Sequence, residues 1–257
     1  MYFILYGTRN IERNITSMNF VVAIDGPAAS GKGTITRKLA DELELTVLPT
    51  GDTYRCLGLE VLKKGYGIDQ VYEITELARQ LDIQLRNVNG KELVYLNGED
   101  VSNEIREPAI SKLSSLVSSI VKVREQMVLL QRRMAEGKNV IAEGRDMGTV
   151  VFPNADVKLY IDANEEVRAD RRYKEYLSNG INITYEEVLE QLRWRDENDK
   201  NKKVGALKKA DDAILIDTTV MTIDEAVEKI KSEIQPKMVK KKSKESKSEY
   251  NEDDFDM

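Results

Sequence analysis

Across residues 19–235, short apolar runs rich in Val and Ile alternate with longer stretches whose apolar positions recur every three to four residues. Buried parallel strands read as continuous apolar runs, and the helices that cover them carry the 3.6-residue period. Strands are predicted at 20–24, 47–48, 140–142, 157–161 and 214–216, and helices at 34–43, 54–64, 165–177, 185–195 and 223–234. This order predicts an α/β fold, a doubly wound parallel sheet with flanking helices. One segment breaks the alternation. Residues 83–88 and 92–96 are strand-like and are punctuated by Asn89-Gly90 and Asn97-Gly98, pairs suited to turns with positive φ. They predict a small antiparallel β insert, followed by helices at about 109–119 and 122–136.

The two ends do not share this pattern. In residues 1–18 the apolar run 2–6 is too short to span a bilayer, and Arg9, Glu12 and Arg13 follow it. The segment reads as an N-terminal extension, with Met18 as an alternative start. Residues 236–257 pass from Lys237, Lys240, Lys241, Lys242, Lys244 and Lys247 into Glu252, Asp253, Asp254 and Asp256, which predicts a disordered charged tail. Composition narrows the chemistry further. Cys56 is the single cysteine, so an intrachain disulfide and a Cys-rich zinc site are excluded, and a reducing, cytoplasmic setting is expected. The chain has no histidine, which removes imidazole bases, His-dependent triads and His metal sites. A formal net charge of −6 argues against a general nucleic-acid binder. A monomer is expected, since no heptad run or long exposed apolar stretch calls for assembly.

The strongest site signal is Gly26-Pro27-Ala28-Ala29-Ser30-Gly31-Lys32-Gly33-Thr34, directly after the first predicted strand and before a helix. In such a loop backbone N–H groups curl around phosphate oxygens, Lys32 reaches the β- and γ-phosphates, and the helix N-terminus adds its positive end. The motif predicts a P-loop NTPase fold that binds ATP. Gly33 stands where most P-loops have Ser or Thr, so a hydroxyl for the metal has to come from Thr34, or water fills that role.

Further motifs resemble the bacterial cytidylate (CMP) kinases, within the P-loop nucleoside monophosphate kinases. They are Ala23-Ile24-Asp25-Gly26-Pro27, Thr50-Gly51-Asp52-Thr53-Tyr54-Arg55, Gly98-Glu99-Asp100-Val101-Ser102, 142–153 from Ala142 to Pro153, and Ile216-Asp217-Thr218-Thr219. The resemblance covers nearly all of 21–234 and extends to the antiparallel insert, which is similar to the enlarged monophosphate-binding region of those enzymes. It implies a kinase-like domain at 19–235, with that region at about 65–136 and a closing lid at about 164–203. It also implies ATP-dependent phosphorylation of CMP and dCMP to CDP and dCDP by direct in-line transfer, with Mg2+. Partners are then small nucleotides, with no nucleic acid and no membrane.

The same resemblance puts Thr50, Arg55, Ser115, Arg124, Arg145, Asp146, Arg195, Asp199 and Lys202 around the acceptor nucleotide. Arg55 and Arg145 suit a phosphate, because a planar guanidinium holds two oxygens at once. Asp146, assisted by Ser115 and Arg124, would accept from the exocyclic amino group of cytosine; the alternative is an ion pair between Asp146 and Arg145. Asp199 would meet the ribose. Family members commonly carry arginine where this chain has Asn198 and Lys202, which implies a looser acceptor grip. Arg168, Arg171 and Arg172 share one helical face near the lid; they either clamp the ATP phosphates or form a solvated face paired with Glu165, Glu166 and Glu175. Trp194 and Tyr173 read as packing residues. Thr34, Asp25 and Glu143 are three candidates for the metal shell. Other readings are a kinase for UMP, AMP or shikimate, a P-loop switch or mechanical ATPase, for which no Asn-Lys-x-Asp motif is found, and a non-catalytic nucleotide-binding regulator.

Overall fold

The computed structural model describes residues 20–88 and 91–249; the predicted N-terminal extension, the Asn89-Gly90 turn and residues 250–257 lie outside the described residues. The chain runs β1 (Val21–Asp25), α1 (Lys32–Leu43), β2 (Thr46–Pro49), α2 (Thr50–Lys64), α3 (Val71–Gln80), β3 (Ile83–Val88), β4 (Lys91–Leu96) and β5 (Glu99–Asp100). It continues through α4 (Pro108–Val117), α5 (Val121–Ala135), β6 (Val140–Gly144), β7 (Val157–Asp162), α6 (Glu165–Ser178), α7 (Tyr185–Lys200), β8 (Ile214–Asp217) and α8 (Ile223–Glu249). The main sheet is entirely parallel with order β2-β6-β1-β7-β8. Successive side chains of β1 face opposite sides of it. Val22 and Ile24 pack with Ile35 and Leu39 of α1 and Val227 and Ile230 of α8, while Val21 and Ala23 pack with Ala135 of α5 and with Met147 and Val151. Both faces are covered, which is why β1 is buried throughout.

The predicted insert forms as a second sheet, β3-β4-β5, antiparallel, closed at one end by Asn97 (φ 51°) and Gly98 (φ 88°). Its inner residues Ile83, Val94 and Leu96 share a core with α2, α3, α4 and α5. Helix α3 was not among the predicted elements; only Ile74, Thr75 and Ala78 of it are buried, a stripe too narrow to stand out beside the flanking Gly67 and Asp69. Helices α6 and α7 form a hairpin whose apolar side, Ala169, Val188 and Leu192, packs against Ala28 of the first glycine-rich loop.

The tail expectation needs correction. Helix α8 runs through Pro236 as far as Glu249. A proline inside a helix removes one backbone hydrogen bond and crowds the preceding turn, but contacts beyond it carry the helix on. Met238 packs on the sheet core. Lys241 Nζ lies 2.9 Å from both oxygens of Asp156 and 5.7 Å from the centre of the Phe20 ring, and Asp156 Oδ2 also accepts the Val21 N–H at 2.8 Å. Because this clasp is partly exposed, Lys241→Ala is expected to reduce unfolding free energy by about 0.5–1 kcal/mol in urea titrations. Substrate KM values should stay unchanged.

Candidate active site

The phosphate loop follows β1, where the strand order places its neighbours β6 and β7 on either side, the crevice at which open parallel sheets hold ligands. Gly26 has φ 149°, and a Cβ there would sit 2.0 Å from the carbonyl oxygen of Ile161, so only glycine lets the loop leave the sheet at this point. Ala29 takes the left-handed conformation at φ 58°, and Gly31 opens α1 at φ 89°. Lys32 is buried and donates to the Pro27 carbonyl at 2.5 Å and to Ser30 Oγ at 3.2 Å. Burial, and then the guanidinium of Arg145, push its ammonium down to about 7.

The metal candidates differ in their surroundings. Both Asp25 oxygens are engaged by the N–H groups of Met147 and Gly148, at 2.7 and 2.8 Å, and burial raises this carboxyl to about 6. Asp25 thereby fixes the turn that carries Asp146. Thr34 is exposed. The Glu143 carboxylate faces the loop closely: a Cβ at Gly33 would lie 3.3 Å from its Oε1. Among the described residues no group of three or more acidic, His or Cys side chains is arranged to hold a metal. One carboxylate beside the phosphate loop fits Mg2+, which keeps its waters and binds largely through substrate phosphates.

The acceptor residues named from the sequence converge. Thr50, Arg124, Ser115, Arg145, Asp146, Arg195, Asp199 and Lys202 line one cavity together with Tyr54, Ser114 and Ser118. Arg55, one helical turn along α2, lies just outside that lining and donates to the Ile105 carbonyl at 2.7 Å and to Ser111 Oγ at 3.0 Å. The cavity holds only about 60 Å³, far below the roughly 300–1,000 Å³ of small-molecule pockets. Its cations and carboxylates are paired with one another. Asp199 takes Arg145 Nε at 2.7 Å and Lys202 Nζ at 2.7 Å. Burial pushes its carboxyl up, but Arg145, Lys202 and Arg195 outweigh that and hold it well below the usual range.

The alternative of an Arg145–Asp146 ion pair does not form. Asp146 pairs with Arg124 from α5 and Arg145 with Asp199 from α7. Burial raises the Asp146 carboxyl against the pull of Arg124. Arg124 also lies over the Tyr54 ring, 5.6 Å from its centre.

The three arginines on one face of α6 separate in role. Arg168 is buried, with Nη1 2.7 Å from Asp196 and 3.2 Å from the Ala28 carbonyl. Arg171 donates to the Thr218 carbonyl at 2.7 Å and the Ser30 carbonyl at 3.5 Å, so two of the three hold the back of the phosphate loop. Arg172 pairs with Glu175 at 2.9 Å, as in the solvated-face reading. It also lines a second cavity of about 530 Å³, between α4 and the α6–α7 hairpin, that shares Arg195 with the first. Trp194 is 45% exposed along this cavity, so the packing expectation fails for it, whereas Tyr173 stacks edge-on with Tyr185.

Sequence reasoning passed over Ser111 and Ser118, and read Asn198 only as a departure from the family's arginine. Ser111 accepts from Arg55 and Arg195, Ser118 from Lys202 at 2.9 Å, and Asn198 donates to Ser115 Oγ at 2.7 Å. The signal was present in the polar stripe 111, 115, 118 along one side of α4.

The cytidylate kinase family model matches residues 22–236. A protein named cytidylate kinase from Caldanaerobacter subterraneus subsp. tengcongensis is 47% identical over 209 residues, covering 81% of this chain and 92% of the relative. Cytidylate kinases from Fusobacterium nucleatum subsp. nucleatum and Thermotoga maritima are 44% and 41% identical, covering 84% and 86% of this chain and 98% and 99% of their own lengths. With a loop for polyphosphate, a facing pocket of guanidiniums and matches across nearly the whole length of these relatives, the chain belongs to the cytidylate kinase family.

Proposed function

We propose that the protein transfers the γ-phosphoryl group of ATP to the phosphate of CMP or dCMP, yielding ADP with CDP or dCDP. The observation that carries this reading is the shared field of the two half-sites. After burial itself, the largest influence holding Lys32 low is Arg145, and Arg195 adds to it. The loop lysine and the acceptor guanidiniums thus form one cationic region, suited to two opposed anionic nucleotides and to the charge that spreads over the transferring phosphoryl oxygens. Arg55 and Arg195, pushed down to about 10 and about 9 chiefly by burial, gain most from an anion placed among them. The acceptor phosphate is already ionised near neutral pH, so it attacks without a protein base, and a chain lacking histidine is not handicapped.

Mg2+ bound with the triphosphate would neutralise phosphate charge, with Glu143 best oriented to reach its waters and Thr34 beside it. Asp25 would act by holding the Met147–Gly148 turn. Arg172, at the cavity wall, would approach the transferring group, while Arg168 and Arg171 hold the loop in shape. Entry of a mononucleotide requires α7 to draw back from α4, with Arg145 and Lys202 exchanging part of their hold on Asp199 for the ligand. We place the working enzyme in the cytosol as a monomer; among the described residues no helix is long and apolar enough to cross a membrane.

A coupled ADP-release assay across CMP, dCMP, UMP, AMP and shikimate tests the reading. Turnover is expected with CMP and dCMP; turnover confined to another acceptor, or none at all, would refute it. Lys202→Arg should lower KM for CMP about threefold, because a guanidinium can keep Asp199 and offer further N–H groups to the ligand. An unchanged or higher KM rejects the looser grip attributed to lysine.

A further inference from the structure

We propose that Ser111 is the positioning residue of the acceptor-phosphate clamp, its hydroxyl oxygen setting the spacing of Arg55 and Arg195. The inference rests on the assignment of these arginines to the acceptor phosphate. Arg55 Nη2 donates to Ser111 Oγ at 3.0 Å and Arg195 Nη1 donates to the same atom at 3.4 Å. A serine oxygen has two lone pairs, so it accepts both and keeps its own proton. The two guanidiniums carry like charge, and Arg55 is among the groups that push Arg195 down. Among the described residues no carboxylate is recorded in contact with both: Asp199 is 4.0 Å from Arg195 and already takes Arg145 and Lys202, and Asp52, whose charge acts on Arg55, is paired with Arg106. A neutral oxygen orients both cations without cancelling their charge. A carboxylate at 111 would compete with the phosphate, and an apolar residue would leave partly buried N–H groups without this acceptor.

Ser111 is also the first rung of a ladder between the two helices. Arg195 meets Ser111, Asn198 meets Ser115 and Lys202 meets Ser118, at 3.4, 2.7 and 2.9 Å. The contacts advance in the same direction on both sides, so α4 and the end of α7 are held in one register. In that register Ser111 and Arg195 line the larger cavity, and Arg195 alone of the two also lines the smaller. The shared hydroxyl therefore sits where the two cavities meet, beside the place where the phosphates are brought together.

The test compares the full-length parent with Ser111→Ala and Ser111→Thr, by calorimetric titration with CMP and with cytidine, which lacks the phosphate, and by steady-state kinetics. Ser111→Ala should weaken CMP about tenfold while cytidine changes less than about twofold and KM for ATP holds, and Ser111→Thr should recover most of the loss. CMP affinity unchanged in Ser111→Ala, or CMP and cytidine weakened equally, overturns the proposal. Should the alanine variant not fold, Ser111→Cys keeps the size but offers a poor acceptor and carries the same expectation. A parent that fails to phosphorylate CMP rejects the acceptor assignment itself, whereas an active parent with an indifferent Ser111→Ala rejects only the role of Ser111.

Discussion

Replacing Lys32 with alanine is expected to lower kcat/KM by roughly 10³-fold with either nucleotide varied, and to weaken ATP while leaving CMP affinity near that of the parent. The lysine is the cation inside the phosphate loop, and its ammonium is held down to about 7 by burial and by Arg145. A triphosphate reverses that balance, because an anion in contact favours the charged form. Above pH 7 the free protein carries Lys32 mostly neutral, and the ATP complex carries it charged, so ATP binding takes up a proton and affinity falls as pH rises from 7 toward 10. Calorimetry at pH 8 in buffers of different ionisation enthalpy should show uptake approaching one proton, lost in Lys32→Ala. Equal uptake in both proteins would assign the proton elsewhere. The same shift acts on stability. The unfolded chain binds this proton up to its ordinary value of 10.5, so the lysine's penalty is present below 7 and is relieved as pH rises through the window above it.

Asp146→Asn should reduce the preference for CMP over UMP by about 10- to 100-fold, measured as the ratio of kcat/KM values. The carboxylate is buried, lines the smaller cavity and accepts only, which suits the amino group of cytosine. Uracil offers a carbonyl oxygen there, so two acceptors face each other and neither recovers its lost water. The asparagine amide can turn its N–H2 toward that carbonyl, which is why UMP should gain as CMP loses. Arg124 loses its counter-charge in this variant, and leaving a buried cation uncompensated costs about 3–5 kcal/mol. A thermal melt beside the kinetics separates that stability cost from the selectivity change. A CMP-to-UMP ratio equal to the parent's would show that Asp146 does not read the base.

Gly26 to Lys32 was readable because a phosphate loop is a local object: its glycines, its lysine and the flanking strand and helix all lie within one short stretch of chain. The parallel sheet was readable for a related reason, since runs such as Val21–Asp25, buried on both faces, leave a continuous apolar trace. Composition also ruled out imidazole and disulfide chemistry. Tertiary structure alone decided who pairs with whom. Neighbours Arg145 and Asp146 look like an ion pair on paper, yet the turn pinned by Asp25 sends them to Asp199 and Arg124, 54 and 22 residues away. It also split Arg168, Arg171 and Arg172, which share a helical face, between the loop's carbonyls and the cavity wall, and it carried α8 past Pro236 through Met238 and Lys241. Periodicity reports which side of an element is buried; it carries no record of the charge that meets it there, because electrostatic partners are chosen by distance in space after the elements have packed.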